Sequence, residues 1–146
     1  MTRIHFYLLE SFDPQNRLVT ACRLIEKAWR QGHQVFLRTD SEANTQALDN
    51  LLWTFRQGSF LPHEVFDGQT EAGDTPIWLG HGATPEFIAD VLVNLGTDLP
   101  EGFERFQRLA EIIDQDEMVK AAGRLRFKGY RERGCAPETH KLEGGD

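Results

Sequence analysis

The fold is decided near the start of the chain, where residues 3 to 38 read RIHFYLLESFDPQNRLVTACRLIEKAWRQGHQVFLR. Residues 3 to 9 form a short apolar run rich in β-formers, which predicts a buried strand. An apolar stripe at helical spacing follows, and Gly32 supplies a stop, so this segment predicts a helix. Residues 34 to 38 predict a second strand, and this order favours parallel strands joined by crossover helices. The stripe consists of Leu18, Ala21, Cys22, Ile25, Ala28 and Trp29.

The middle of the chain continues the alternation. Asp40 or Ser41 can cap a second helix that runs to about Phe55. A loop-rich connection is expected over residues 58 to 75. Two strands that end in glycine are then expected around residues 76 to 82 and 90 to 96, and the pattern leaves their relative direction open.

The last part of the chain predicts a strand over residues 108 to 114, followed by a final helix to about Arg133 that is capped by Asp114 or Asp116. The chain is therefore expected to adopt an α/β fold of three layers, α/β/α, with a mostly parallel sheet. This fold is Rossmann-like without a nucleotide-binding loop. Such a loop needs glycine after the first strand, so that backbone N–H groups can approach a phosphate. Residues 10 to 17, ESFDPQNR, contain no glycine and two acids.

Length and composition are ordinary for one globular domain. With 146 residues, 27 % of them charged and 40 % hydrophobic, the chain can bury a hydrophobic core without disulfide bonds or metal sites to stabilise it. We expect a single α/β domain over residues 1 to 134 and a flexible tail over residues 135 to 146. The apolar run Ile4 to Leu9 is too short for a secretory signal or a membrane span, which favours a cytoplasmic protein without membrane contacts. Cys22 and Cys135 form no CxxC motif.

No arrangement of catalytic or metal-binding residues stands out in the sequence. His81 lies between two glycines but lacks a nucleophile or a carboxylate at motif spacing. His63, Glu64 and Asp67 do not have a metal-ligand spacing. The sequence therefore predicts no catalytic residue, no metal site and no cofactor. The alternative is a nucleotide-binding or enzymatic domain of the doubly wound class, and failure to bind mononucleotides would count against it.

The basic residues of the chain are concentrated near its end. The formal net charge is −7, yet residues 120 to 133 contain six basic side chains and one acid. This local balance of +5 leaves about −12 for the rest of the chain. Proteins that bind DNA through phosphates usually carry a basic surplus, so the overall charge argues against a second alternative, a stand-alone DNA-binding protein.

The final helix separates cations from apolar residues. At 100° per residue, one face is cationic and consists of Lys120, Arg124, Phe127, Lys128 and Arg131. The opposite face is expected to pack on the core and consists of Met118, Ala122, Leu125 and Gly129. Phe127 is therefore expected to point away from the core, among cations. Arg126 and Arg133 fit this scheme poorly.

Trp53 leaves the apolar stripe of its own helix. That stripe consists of Leu48, Leu51, Leu52 and Phe55, and Trp53 falls on the other side of the helix. Phe60, Leu61 and Pro62 follow in a loop. Exposed aromatic and apolar residues that cluster in this way indicate a partner surface. The alternative is that Trp53 packs beneath that loop.

Three segments resemble the chi subunit of bacterial DNA polymerase III, in the order found in that family. They are FYLLE at residues 6 to 10, LDNLLWTFRQGSFLPH at residues 48 to 63 and RFKGYRERG at residues 126 to 134. The resemblance implies an accessory component of the clamp-loader assembly, with a three-layer α/β/α fold and no catalytic activity.

The resemblance also implies two protein partners and no direct DNA binding. One is the psi subunit, through which chi reaches the clamp loader, and an iron-sulfur helicase competes for the psi surface in some members. The other is the acidic C-terminal tail of single-stranded-DNA-binding protein. Carried over by position, the tail-binding residues are Arg124, Phe127, Lys128 and Arg131. The psi-binding residues are Trp53, Phe60, Leu61, Pro62 and His63. The family more often has tyrosine at the position of Phe127, so this chain lacks a hydroxyl there.

Overall fold

The computed structural model describes residues 1 to 56 and 60 to 142. The strands are β1 (Arg3–Leu9), β2 (Val35–Thr39), β3 (His63–Val65), β4 (Ile77–His81), β5 (Val91–Asn94), β6 (Arg108–Ile113) and β7 (Glu138–Leu142). The helices are α1 (Pro14–Arg30), α2 (Glu42–Thr54) and α3 (Glu117–Glu132), with a 3-10 turn at Phe103–Arg105. The strands form one sheet in the order β3-β4-β2-β5-β6-β1-β7, and every neighbouring pair is parallel. The predicted α/β class is confirmed.

Helix α1 is capped at its N-terminus by an aspartate, which accepts a hydrogen bond from a free backbone N–H group. The Asp13 carboxylate accepts a hydrogen bond from the Gln15 N–H at 3.0 Å, and Pro14 occupies the first helical position. Gly32 follows the helix with φ of 87°, a conformation that favours glycine. Because a carboxylate already caps this helix after β1, an anion such as a phosphate would meet negative charge there.

The fold has three layers because adjacent side chains of a buried strand point to opposite faces of the sheet, and helices pack on both faces. Val35 and Leu37 of β2 pack with α1 and α2 on one face of the sheet, whereas Phe36 packs with α3 on the other face. Cys22 of α1 lies fully buried in the first core, as its helical spacing predicts. Burial raises the pKa of this thiol to about 12, so it remains protonated at neutral pH. Over the described residues, no helix is long and apolar enough to cross a membrane.

Two edge strands were not predicted from the sequence. The flexible tail expected over residues 135 to 146 is wrong for Glu138–Leu142, which form β7 and pair with β1 from His5 to Leu9. The last four residues of that tail lie outside the described part of the chain. Strand β3 lies inside the stretch interpreted as a loop. Both strands pair on one side only and carry polar side chains, so they lack the apolar pattern that marks a buried strand.

The buried face of α3 differs from the predicted one. Met118 and Leu125, expected in the core, are 82 % and 73 % exposed. The buried residues are Gly123, Arg126, Gly129 and Tyr130. The helix is thus rotated by roughly a quarter of a turn from the expected orientation, at 100° per residue. Glycine permits this contact, because a Cβ at Gly123 would lie 2.7 Å from Ile113 Cδ1.

Arg126 faces inward because it pairs with a buried carboxylate. Its Nε and Nη2 donate to both Glu111 carboxylate oxygens at 2.9 and 3.0 Å, and neither residue is more than 3 % exposed. The Tyr130 hydroxyl donates to Glu111 at 2.6 Å, and Asn94 donates at 3.1 Å. Burial and the neighbouring negative charge both raise the pKa of Tyr130. This network explains why Arg126 did not fit a solvent-facing cationic stripe.

Candidate functional site

The exposed side of α3 carries a row of cations. Asp116 caps the helix by accepting from the Met118 and Val119 N–H groups at 2.9 and 3.1 Å. Farther along the helix, the side chains of Arg124, Lys128 and Arg131 are exposed. Since α3 packs on one sheet face through its buried residues, these cations project from that layer into solvent. We call them, together with Phe127, the α3 surface.

Phe127 does not point away from the core as predicted. It is half-buried, and its ring packs edge-on against Phe6 of β1 with the centroids 5.2 Å apart. The reason is the rotation of α3, which brings this residue to the margin of the buried face. Phe127 therefore has one edge in the core and one edge at the surface, and it forms a fixed apolar wall.

Two clefts meet at this wall. One has a volume of about 250 Å³ and an apolar floor contributed by β1, β6 and α3. It is lined by Phe6, Leu8, Ile113, Gln115, Lys120, Gly123, Arg124, Phe127 and Thr139. The other, of about 380 Å³, is lined by Arg124, Phe127, Lys128, Arg131 and Glu132. Arg124 and Phe127 border both clefts, so an apolar pocket adjoins a cationic one. Sequence reasoning missed the floor, because Phe6 and Leu8 of β1 are distant from α3 in sequence.

The cations of the α3 surface are available to an acidic ligand. Between residues 1 and 56 and residues 60 and 142, no ion pair within 4.0 Å involves Arg124, Lys128 or Arg131. Lys120 lies 4.0 Å from Glu117 one turn earlier. Arg126 is different, because each nitrogen of its guanidinium donates a hydrogen bond to Glu111 or to the Thr97 carbonyl. The surface can therefore accept carboxylates without first breaking internal pairs.

A second candidate surface lies at the end of α2. Trp53 and Phe60 are 46 % and 65 % exposed, and their ring centroids are 5.4 Å apart. The Trp53 ring also lies 4.2 Å from the His63 ring. Trp53 is thus off the core face, as its helical position predicts, and its partly exposed ring packs against residues of the following loop. We call Trp53 and Phe60 the aromatic surface.

The neighbours of the aromatic surface support it from below. Leu61 is fully buried in the core, and Pro62 is half-buried. The His63 ring, 7 % exposed, donates from Nδ1 to the Leu61 carbonyl at 2.6 Å. Its Nε2 lies 3.1 Å from the Asp49 carboxylate of α2. Leu61 and His63 therefore hold the loop against α2 and offer little surface to a partner.

The two surfaces lie far apart on the molecule. The aromatic surface belongs to the α1 and α2 layer beside β3, at one end of the sheet, while the α3 surface lies over β1 on the opposite face. Five strand spacings of about 4.8 Å separate β3 from β1, which places roughly 24 Å between these strands. Two ligands can occupy the surfaces without touching each other. His81, the histidine between glycines, is exposed at the end of β4 and belongs to neither surface.

Comparison with known proteins gives consistent matches along the chain. Residues 1 to 138 match the family model described as "DNA polymerase III chi subunit, HolC". A DNA polymerase III subunit chi from Pseudomonas aeruginosa is 42 % identical over 142 residues, which covers 97 % of this chain and 98 % of the relative. The subunit chi from Haemophilus influenzae is 31 % identical and covers 94 % of this chain and 95 % of the relative. The subunit chi from Escherichia coli is 26 % identical, with 92 % and 94 % covered.

Proposed function

Because this chain belongs to the family of DNA polymerase III chi subunits, we propose that it is a non-catalytic adaptor of the replisome. The α3 surface binds the acidic C-terminal tail of single-stranded-DNA-binding protein, and the aromatic surface binds the psi subunit of the clamp-loader assembly. The chain thereby links the polymerase machinery to coated single-stranded DNA without contacting the DNA. It acts in the cytoplasm, where bacterial replication takes place.

The observation that carries the proposal is the pair of clefts that meet at Phe127. An acidic tail that ends in an apolar residue needs an apolar pocket for the last side chain and cations for the carboxylates. The cleft floored by Phe6 and Ile113 offers the pocket, and Arg124, Lys128 and Arg131 offer the charges. The formal net charge of −7 over the whole chain disfavours nonspecific binding to DNA phosphates.

The expected affinity for the tail is moderate. Burying an apolar side chain contributes about 1.5 to 3 kcal/mol, and each shielded hydrogen bond to a charged group contributes about the same. Ordering a flexible peptide and restricting its motion cost several kcal/mol. The balance favours a dissociation constant near 1 μM, or about −8 kcal/mol. Because the charges are exposed, binding should weaken as the salt concentration rises.

Support for a psi contact comes from the exposure of Trp53. Truncating an aromatic residue at the centre of a protein interface typically causes a large loss of binding free energy. Trp53 and Phe60 stand in contact above a buried base of Leu61 and His63, so their rings are held in place before a partner arrives. An iron-sulfur helicase, where one is present, competes with psi for the same rings.

The separation of the two surfaces supports an adaptor role. With psi bound on one layer and the tail on the other, the chain holds the clamp-loader assembly close to single-stranded-DNA-binding protein. This proximity raises the effective concentration of each partner around the other. The gain requires no chemistry at the chain itself. It depends only on simultaneous binding, which the roughly 24 Å between β3 and β1 allows.

Trp53→Ala is expected to weaken psi binding by about thirtyfold or more, since loss of a hot-spot residue costs at least about 2 kcal/mol. The measurement is a calorimetric titration of psi into each folded variant. Phe12→Ala is the matched control, because Phe12 is an aromatic residue that is 82 % exposed outside both surfaces. Unchanged psi affinity in a folded Trp53→Ala variant would show that the aromatic surface has another role.

A further inference from the structure

A group of three metal-ligating side chains lies outside both surfaces, where β7 pairs with β1. His5 Nδ1 lies 2.9 Å from His140 Nε2 and 3.6 Å from Glu138 Oε2. All three ligand atoms lie within 4.8 Å of one another, and across residues 1 to 56 and 60 to 142 no other such group is found. We propose that His5, Glu138 and His140 bind a divalent transition-metal ion, and that Zn²⁺ fits them best.

The sheet itself brings these side chains together. In the parallel register, His5 stands opposite Glu138, and Tyr7 stands opposite His140. Residues two apart on a strand point to the same face, so both histidines and the carboxylate share one side of the sheet. The Tyr7 ring stacks on the His140 ring with the centroids 5.2 Å apart, which restricts the orientation of that imidazole. The group thus depends on backbone register as well as on flexible side chains.

The distances suit a tetrahedral ion. Zinc binds histidine nitrogen and carboxylate oxygen at about 2.0 to 2.2 Å, so two ligand atoms of a tetrahedral site stand about 3.3 Å apart. The observed separations of 2.9 and 3.6 Å lie on either side of that value. Small side-chain rotations would place all three atoms on one ion. Two histidines and one carboxylate leave a fourth position, and the exposed Glu138 side chain opens it to solvent.

Metal binding would replace an existing hydrogen bond. One of the two imidazoles now carries the shared proton between His5 Nδ1 and His140 Nε2. That ring must move its proton to its other nitrogen before both facing nitrogens can bind the ion. The charges of Arg3 and Arg108, which act on His5, oppose a cation. We therefore expect micromolar affinity for Zn²⁺.

The site has a structural consequence for the end of the fold. β7 is an edge strand that pairs with β1 alone and buries little of its own surface. An ion held jointly by His5 on β1 and by Glu138 and His140 on β7 would cross-link the two strands. Binding of an ion to the folded state alone also stabilises it by mass action. The inference is independent of the proposed adaptor role.

The test is a calorimetric titration of Zn²⁺ into the full chain prepared without a histidine tag, with Co²⁺ absorbance to report a tetrahedral site. We expect one ion per chain, and a Kd that rises by at least about tenfold to a hundredfold in His5→Gln and in His140→Gln. His81→Gln is the matched control, because this exposed histidine lies on β4, and it should bind as the wild type does. Zn²⁺ should also raise the Tm of the wild type and of this control.

The proposal is overturned if the wild type takes up no ion at about 100 μM Zn²⁺, well above the expected micromolar Kd. It is also overturned if His140→Gln keeps the wild-type affinity. Circular dichroism establishes that each variant is folded. Should a histidine variant fail to fold, Glu138→Gln replaces it, because this side chain is 67 % exposed and its loss should leave the core intact. Unchanged Zn²⁺ binding in that variant would equally contradict the site.

Discussion

Arg126→Met is expected to reduce the free energy of unfolding by about 3 to 5 kcal/mol, because it leaves a buried carboxylate without its cation. Glu111 is fully buried, and Arg126 donates to both of its oxygens. Methionine fills a similar length of space but cannot offset the negative charge. The measurement is urea unfolding at pH 7, followed by circular dichroism.

The matched control is Arg124→Met, the same substitution two residues earlier on α3 at an exposed position. Its effect should stay within about 0.5 kcal/mol, as is usual for surface changes. The double variant Arg126→Met with Glu111→Gln should recover a large share of the loss, since the unpaired charge is then absent. If Arg126→Met and Arg124→Met unfold at the same urea concentration, Arg126 does not have the buried role assigned to it.

Arg131→Glu is expected to weaken binding of the acidic tail peptide by about thirtyfold or more. Loss of one charge-assisted hydrogen bond costs about 2 kcal/mol, and the new glutamate repels the peptide carboxylates. Because Arg131 is exposed and has no ion pair among the described residues, its reversal should not disturb the fold. A labelled peptide titrated at two salt concentrations measures the effect, and added salt should reduce the difference between variants.

Arg23→Glu makes the same charge change at an exposed position of α1, in the layer on the other side of the sheet. It should leave tail binding within about twofold of the wild type, as expected for a distant charge screened by salt. A peptide with an amidated C-terminus should bind less well, because it lacks one carboxylate. Equal loss in both charge reversals would mean that the peptide senses only net charge.

The five inner strands and the first two helices could be predicted because their residues follow simple periodic patterns. β1 and β2 are short apolar runs, and Leu48 and Leu52 of α2 stand at helical spacing and are buried. The exposed position of Trp53 follows from the same geometry. Each of these inferences needs only neighbours that are close in sequence.

The orientation of α3 could not be predicted in this way. Hydropathy assigns arginine to solvent and methionine to the core, yet Arg126 is buried and Met118 is exposed. The deciding partner is Glu111, a buried carboxylate on a central strand that no helical pattern reveals. Buried charges must be paired, so a distant residue determines which face of the helix packs inward.

Strand β7, the pair of histidines and the apolar floor depend on contacts between residues that are distant in sequence. β7 was missed because a polar edge strand is held by its backbone hydrogen bonds to β1. His5 and His140 are 135 residues apart, so no spacing motif could pair them. The apolar floor beneath Phe127 was missed for the same reason, since Phe6 and Leu8 of β1 are distant from α3 in sequence.

The measurement that tests the adaptor role most directly is a bridging assay on beads that carry the acidic tail peptide. We predict that psi is retained on the beads only when the chain is also present. Trp53→Ala should remain on the beads and lose psi, whereas Arg131→Glu should remain bound to psi and leave the beads with it. Retention of psi that is unchanged by either substitution, or failure of the wild type to hold both partners at once, would contradict the account.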